Sequence, residues 1–379
     1  MTDKTDVAII GGGAAGCAAS YYLAKSGVRA TVIEREGVGV HASGNSAGGL
    51  NPLEGAGIPG PLAPLAIESF RMHLAAWDAL QDESGVDFLP QMVYKVNIAY
   101  HESALPAMEK SLEIYQNAPS IKSGGFAAHW MDAERVYEIE PRIAPGAIRA
   151  LYHYGDAALS SHLFTLALSR AAEKMGATVR YGSAVGLKTT GGKVTAVALE
   201  DGEIACGSVV IASGPWSGDA AKWLGIPIPI EPYKGEILRV QMPNPPLAYE
   251  FSTAGVSLFN RRDGLIWIGA TEERSGFDLT PSESAKQKLL GSAAKLLPAI
   301  AKAKIVKHTA CLRPLSTDWL PIIGVAPGWD NVHLATGAGK KGILIAPGIG
   351  KSIADLVTSG TTSLPIAPFS PMRFANANT

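Results

Sequence analysis

The stretch that most constrains this chain is Asp6 to Glu34, DVAIIGGGAAGCAASYYLAKSGVRATVIE. Val7 to Ile10 is a short apolar run, as a strand buried on both faces of a parallel sheet requires. Gly11, Gly13 and Gly16 follow as G-x-G-x-x-G at a strand-to-helix junction. Gly11 permits the tight turn, Gly13 lets backbone approach a pyrophosphate, and Gly16 lets the helix pack close to the sheet. Around Ala14 and Ala15, the free N–H groups and dipole of the helix start favour a diphosphate. Ala14 to Lys25 reads as helix, ended by Gly27, and Arg29 to Ile33 as the second strand. Glu34 closes that strand 18 residues after Gly16. A carboxylate there accepts the ribose hydroxyls of an adenosine and disfavours a 2′-phosphate. The glycines alone are weak evidence, but the complete βαβ frame makes an adenine dinucleotide the expected ligand. FAD and NAD both remain open at this point.

With 379 residues the chain is long for one core and suggests two domains. A net charge of −1 advertises neither nucleic acid nor an anionic membrane as a partner. Cys17, Cys206 and Cys311 are scattered and odd in number, which suits neither a disulfide framework nor a zinc site, so no metal is expected. The first strand starts at Asp6, leaving no room for a signal peptide, and no apolar run reaches 18 residues. A cytoplasmic protein is the expectation.

After Arg35, the segment Gly37 to Pro64 is rich in small residues and centres on ASGNSAGG, Ala42 to Gly49. It reads either as a flexible surface loop or as a loop lying close to a flat ligand, with hydrogen bonds from Ser43, Asn45 and Ser46. Helices are expected over Ile67–Glu83, Ser103–Asn117, Asp132–Glu140 and His162–Met175, and strands over Met92–Tyr100, Phe126–Trp130, Ala150–Tyr154 and Ala177–Tyr181. Lys193–Leu199 and Glu203–Cys206 read as a hairpin around Asp201-Gly202, and Ser208–Ala212 as a buried strand running into SGPWS. Gly235–Gln241, Val256–Asn260 and Leu265–Gly269 alternate, as in an antiparallel sheet. Thr280-Pro281-Ser282-Glu283 reads as a capping box with Pro at the first helical position. Lys304–Leu312 and Asn331–Ala335 are expected strands, Ile343–Ser359 is the final helix, and the tail after Gly360 is expected to fray.

A typical NAD dehydrogenase keeps its cofactor domain in one block, whereas here the nucleotide-binding sheet is visited three times. This interleaving resembles the D-amino-acid oxidase, glycine oxidase and sarcosine oxidase superfamily of FAD flavoproteins over nearly the whole chain. The carriers are GGGAAG with Glu34 and Arg35, ASGNSAGG, Val185 after a strand, SGPWS, LIWIGATEERSGFD, CLRPLSTDWLPIIG and ATGAGKKGILIAPGIG. The resemblance implies an α/β FAD-binding Rossmann-like domain, discontinuous over residues 1–87, 150–225 and 305–379. It also implies an α+β substrate domain with an antiparallel sheet over residues 88–149 and 226–304. Glu34 and Arg35 would hold the adenosine, with Val185 on the adenine. The loop residues Ala42, Ser43, Asn45, Ser46, Ala47, Gly48 and Gly49 would lie along the pyrophosphate, ribityl chain and flavin edge. Ser213, Gly214 and Trp216 would lie near the cofactor. Gly339, Lys340, Lys341, Gly342, Ile343 and Leu344 would bring N–H groups to the flavin pyrimidine edge, where reduction leaves negative charge. Lys340 or Lys341 would add a full charge there, unless both are solvated.

Arg313, in R-P-x-x-x-D-x-x-P-x-x-G, resembles the arginine that clamps the substrate carboxylate beside the flavin, a pair suited to bidentate bonding. The alternative is a structural ion pair with Asp318. Three features depart from the family. Ala338 stands where many relatives have histidine. Ser257 aligns with a substrate-holding tyrosine, so Tyr249 or Tyr233 would have to substitute. Cys311 falls where some sarcosine oxidases link the flavin covalently, although non-covalent FAD is the expected state. The implied reaction is oxidation of a small amino acid or N-substituted glycine, of the glycine, sarcosine or iminodiacetate type. Hydride passes from the carbon next to nitrogen to flavin N5, and the imine hydrolyses to an oxo acid such as glyoxylate. Oxygen or a separate acceptor would take the electrons. The alternatives are a D-amino-acid dehydrogenase, a tRNA wobble-uridine carboxymethylaminomethyl oxidoreductase, and a non-catalytic or electron-transfer flavoprotein subunit. Near-neutral charge argues against the tRNA enzyme.

Overall fold

Strand Asp3–Ile10 shows why its apolar run is unbroken. Val7 and Ile9 face one hydrophobic cluster and Ala8 and Ile10 another, so both faces of the strand are buried. The computed structural model describes residues 3–119, 125–242 and 245–375. Among these residues two sheets organise the chain. The first has the order Ile322–Val325, Val332–Thr336, Gly202–Ile211, Asp3–Ile10, Ala30–Glu34, Thr178–Tyr181. Its three central pairings, on either side of Asp3–Ile10 and beyond Gly202–Ile211, are parallel. The expected hairpin is present, and its second strand continues without a break through Ser208 to Ile211. A further strand, Ala184–Thr190, which the sequence did not suggest, pairs with the hairpin.

Helices Ala14–Lys25, Ser161–Lys174 and Gly342–Ser359 cover one face of this sheet, with Ala63–Ser84 packed behind them. The final helix crosses the first so closely that a Cβ on Gly350 would lie 2.4 Å from the Ala18 carbonyl carbon. The second sheet runs Lys304–Ser316, Ile230–Gln241, Ile266–Gly269, Val256–Asn260, Glu250–Thr253, Gln91–Ala99, Arg149–Ala158, Gly49–Leu50. It is antiparallel except where Glu250–Thr253 runs parallel to Gln91–Ala99. Arg149–Ala158 and Lys304–Ser316 therefore hydrogen-bond within the second sheet, not the first.

Two local expectations are corrected. The helix expected from a Thr280 cap starts at Glu283, capped by Ser282, whose Oγ accepts from the Ala285 N–H. The Thr280 carbonyl is taken instead by the buried Lys234 ammonium. The tail after Gly360 does not simply fray. Phe369 is fully buried, and Arg373 bonds Asp318 and the carbonyls of Leu320 and Pro321. Residues 376–379 lie outside the described residues.

Pro347 sits inside the final helix and has no N–H to offer the Ile343 carbonyl. His73 supplies a donor from the neighbouring helix, with Nε2 2.9 Å from Ile343 O and 3.1 Å from Leu344 O. Burial pushes the pKa of this imidazole down to about 4. The unfolded chain therefore binds the proton first, from about pH 6.5 downwards. His73→Leu is expected to lower unfolding free energy at pH 7 by about 1–3 kcal/mol. The gap to wild type should shrink as pH falls from 6.5 towards 4, read from urea titrations with an unchanged m-value.

Candidate active site

One elongated cavity of about 650 Å³ runs from the glycine turn to the second sheet. Its first end is shaped by close backbone packing. Gly11 has φ 113°, and a Cβ there would lie 2.4 Å from Ala212 O; a Cβ on Gly16 would lie 2.0 Å from Gly11 O. Glu34 is buried, and its Oε2 accepts from Gly12 N at 2.7 Å while Oε1 accepts from Glu36 N at 2.9 Å. The carboxylate thus braces the turn and keeps acceptor capacity at the cavity wall. Ser43 Oγ accepts from Ala14 N at 2.9 Å, tying the small-residue loop to the helix start. Asn45 donates to the carbonyls of Val40 and His41, so it fixes the loop's own shape. The Arg35 guanidinium lies 4.2 Å over the Trp216 ring, which also stacks on Phe277.

The far end is built on neighbouring strands. Arg313 and Tyr233 are register partners between Lys304–Ser316 and Ile230–Gln241. The Arg313 guanidinium lies across Gly235, where a Cβ would come within 2.0 Å of Nη2. Its own bonds are two long ones, from Nη1 to Lys234 O and Thr271 O, both 3.3 Å. The structural pair proposed with Asp318 is not formed, because Asp318 is held by Arg373 at 2.7 Å. Among the described residues no carboxylate forms an ion pair with Arg313. Ile237, Phe259 and Cys311 complete this end.

A sequence model of FAD dependent oxidoreductases matches residues 6–356. The chain belongs to this family of FAD-dependent oxidoreductases. It is 31% identical to a glycine oxidase of Geobacillus kaustophilus over 377 residues, covering 98% of both chains. It is 32% identical to a glycine oxidase of Pseudomonas aeruginosa over 372 residues, covering 96% of this chain and 98% of that one. The crystal structure of glycine oxidase from Geobacillus kaustophilus superposes with a TM-score of 0.90 at 29% identity, covering 98% of this chain and 99% of the other.

The cavity of this FAD-dependent oxidoreductase fits its cofactor on structural grounds. A carboxylate with spare acceptor capacity stands at one end, glycine backbone follows, and the start of the final helix, at Gly342 and Ile343, stands at the other. Of the residues expected to hold FAD, Gly11, Gly13, Ala14, Ala15, Glu34, Arg35, Ala42, Ser43, Asn45, Ser46, Ala47 and Gly49 line the cavity. So do Val185, Ser213, Gly214, Trp216, Gly339, Lys340, Gly342 and Ile343, and Arg313, expected beside the flavin, lines it with them.

Gly16, Gly48, Lys341 and Leu344 stand behind the wall rather than in it. Gly48 is a packing residue, since a Cβ there would lie 1.8 Å from Leu159 O. Lys341 is not solvated. Its ammonium is buried on the carbonyls of Asn51 and Glu54, and burial lowers its pKa to about 8. Lys340 pairs with Glu272. Tyr249 packs on Tyr94, Tyr152 and Phe251, away from Arg313. Ser257 does not line the cavity, and Phe259, two residues on, does. Tyr233 does not line the cavity either, but it stands beside Arg313, with its ring centroid 6.0 Å from the guanidinium carbon. Glu272 is the functional candidate that sequence reasoning missed. The signal available was its place three residues after the strand end at Gly269, in LIWIGATEERSGFD.

Proposed function

We propose that this oxidoreductase oxidises the C–N bond of a small carboxylated amine, of the glycine or N-substituted glycine type, in the cytoplasm. Oxygen or a separate acceptor takes the electrons. The observation that carries the reading is Arg313, a cavity-lining guanidinium with two 3.3 Å carbonyl contacts and no carboxylate partner among the described residues. The full-length similarity to two glycine oxidases supports the same substrate class.

FAD supplies the hydride acceptor when bound. The residues lining the first end of the cavity would hold its adenosine and pyrophosphate, and the strands of the second sheet would carry the substrate. Arg313 fixes the carboxylate bidentately and so sets the α-carbon's orientation. Ile237, Phe259 and Cys311 keep water from the reacting carbon. An amine that binds neutral needs no side-chain base before C–H cleavage, and Arg313 contributes orientation alone. The deciding experiment is anaerobic bleaching of the flavin by glycine, sarcosine, iminodiacetate and D-amino acids. Bleaching by the glycine derivatives is expected, and a flavin that none of them bleaches refutes the reading. Oxygen consumption then separates oxidase from dehydrogenase.

The flavin is held without a covalent bond on this reading. The Cys311 thiol is buried and burial raises its pKa, which disfavours the thiolate that a linkage needs. Acid or SDS denaturation should therefore release all the flavin into the supernatant. Flavin remaining on the protein band would reverse the assignment.

A further inference from the structure

At the solvent edge of the cavity, near Arg313, the Lys340 ammonium is flanked by a carboxylate and two aromatic rings. It pairs with the Glu272 carboxylate and lies 5.8 Å from the Tyr233 ring centroid and 5.5 Å from that of Trp319. The two rings meet edge to face at 5.7 Å, and the Tyr233 hydroxyl donates to Glu272 at 3.2 Å. One carboxylate and two aromatic faces around an ammonium are the ingredients of a cation receptor. Trp319 adds a second observation. It is partly exposed and holds a left-handed φ of 65°, a costly conformation for so large a side chain. Its neighbour Asp318 is anchored by Arg373, which fixes the turn that brings the indole to Tyr233.

We infer that Tyr233, Trp319 and Glu272 form a subsite for a cationic group on the substrate, in which the Lys340 ammonium sits as an exchangeable occupant. The inference rests on the carboxylated-amine reading and specifies the substrate class further. The preferred ligand carries a carboxylate for Arg313 and, some bonds away, a second basic group. Both sites flank one tyrosine, since the Arg313 guanidinium carbon and the Lys340 ammonium lie 6.0 and 5.8 Å from the Tyr233 ring centroid. Aromatic faces are negative, so they attract a cation and repel a second carboxylate. Burial works to raise the Glu272 carboxyl, but Lys340, Tyr233 and Arg313 outweigh it and hold it below the ordinary range. The subsite therefore carries its charge at neutral pH. Lys340 is long, flexible and at the surface, so a ligand ammonium displaces it into water.

The test is calorimetry on the holoenzyme with carboxylates that have no α-amine to oxidise. The probes are acetate, malonate and the ω-amino acids β-alanine, 4-aminobutyrate and 5-aminopentanoate. At least one ω-amino acid should bind tenfold or more tightly than acetate, with malonate weakest. In Glu272→Gln that preference should fall to within about threefold, with acetate binding no weaker than in wild type. Equal binding of acetate and all the ω-amino acids, tightest binding of malonate, or a preference that survives in Glu272→Gln overturns the subsite alone. If acetate itself fails to bind, the Arg313 reading falls and the subsite falls with it.

Discussion

Arg313→Met is expected to leave FAD bound and lower kcat/KM by roughly two to three orders of magnitude. The fold should tolerate the change. The strand that carries Arg313 is held by a continuous backbone ladder to Ile230–Gln241, and the guanidinium adds only two 3.3 Å contacts to carbonyls. Methionine fills similar volume without charge. What disappears is the partner for the substrate carboxylate, and losing one side of such a desolvated pair costs about 2–5 kcal/mol. The measurement is steady-state kinetics together with the flavin-to-protein ratio. Arg313→Lys should recover part of the loss, because it restores a point charge without the planar fork. A kcat/KM unchanged in Arg313→Met would remove this residue from the site.

The parts of the site legible in sequence are those that local chain geometry fixes. Gly11, Gly13, Gly16 and Glu34 lie in one contiguous βαβ unit, so their spacing already sets their relation. Arg313 was expected in the site from its short motif and a residue type that suits a carboxylate, and it lines the cavity. Lys340 and Lys341 were not separable, because adjacent residues at a helix start point about 100° apart and only tertiary contacts decide which turns inward. Lys341 turned in to Asn51 and Glu54, and Lys340 turned out to Glu272. On the strands the problem is register. A slip of one residue moves every side chain to the opposite face. The sequence could therefore not tell that Tyr233 would pair with Arg313 while Tyr249 joined the cluster around Tyr152. The same limit hid the sheet to which Arg149–Ala158 belongs, a strand-like run that fits either sheet until its partner, Gln91–Ala99, is known.

Gly235→Ala should cost nearly as much activity as loss of Arg313, although no substrate contact is assigned to Gly235. An added Cβ would lie 2.0 Å from Nη2 and 2.3 Å from Cζ of Arg313, closer than any real contact. Gly235 is not among the left-handed glycines, and it pairs with Cys311 in a regular ladder, so alanine suits its backbone. The strain therefore falls on the side chain able to move, which is Arg313. A clamp displaced by about 1 Å loses on the order of 100-fold in rate, because orientation contributes only when the geometry is held. Flavin content and thermal midpoint should stay near wild type, which separates this effect from unfolding. The double variant Gly235→Ala/Arg313→Met is decisive. If Gly235 acts through Arg313, the second change adds almost nothing to Arg313→Met. If the two losses simply add, Gly235 supports the site by some route other than the arginine lying across it.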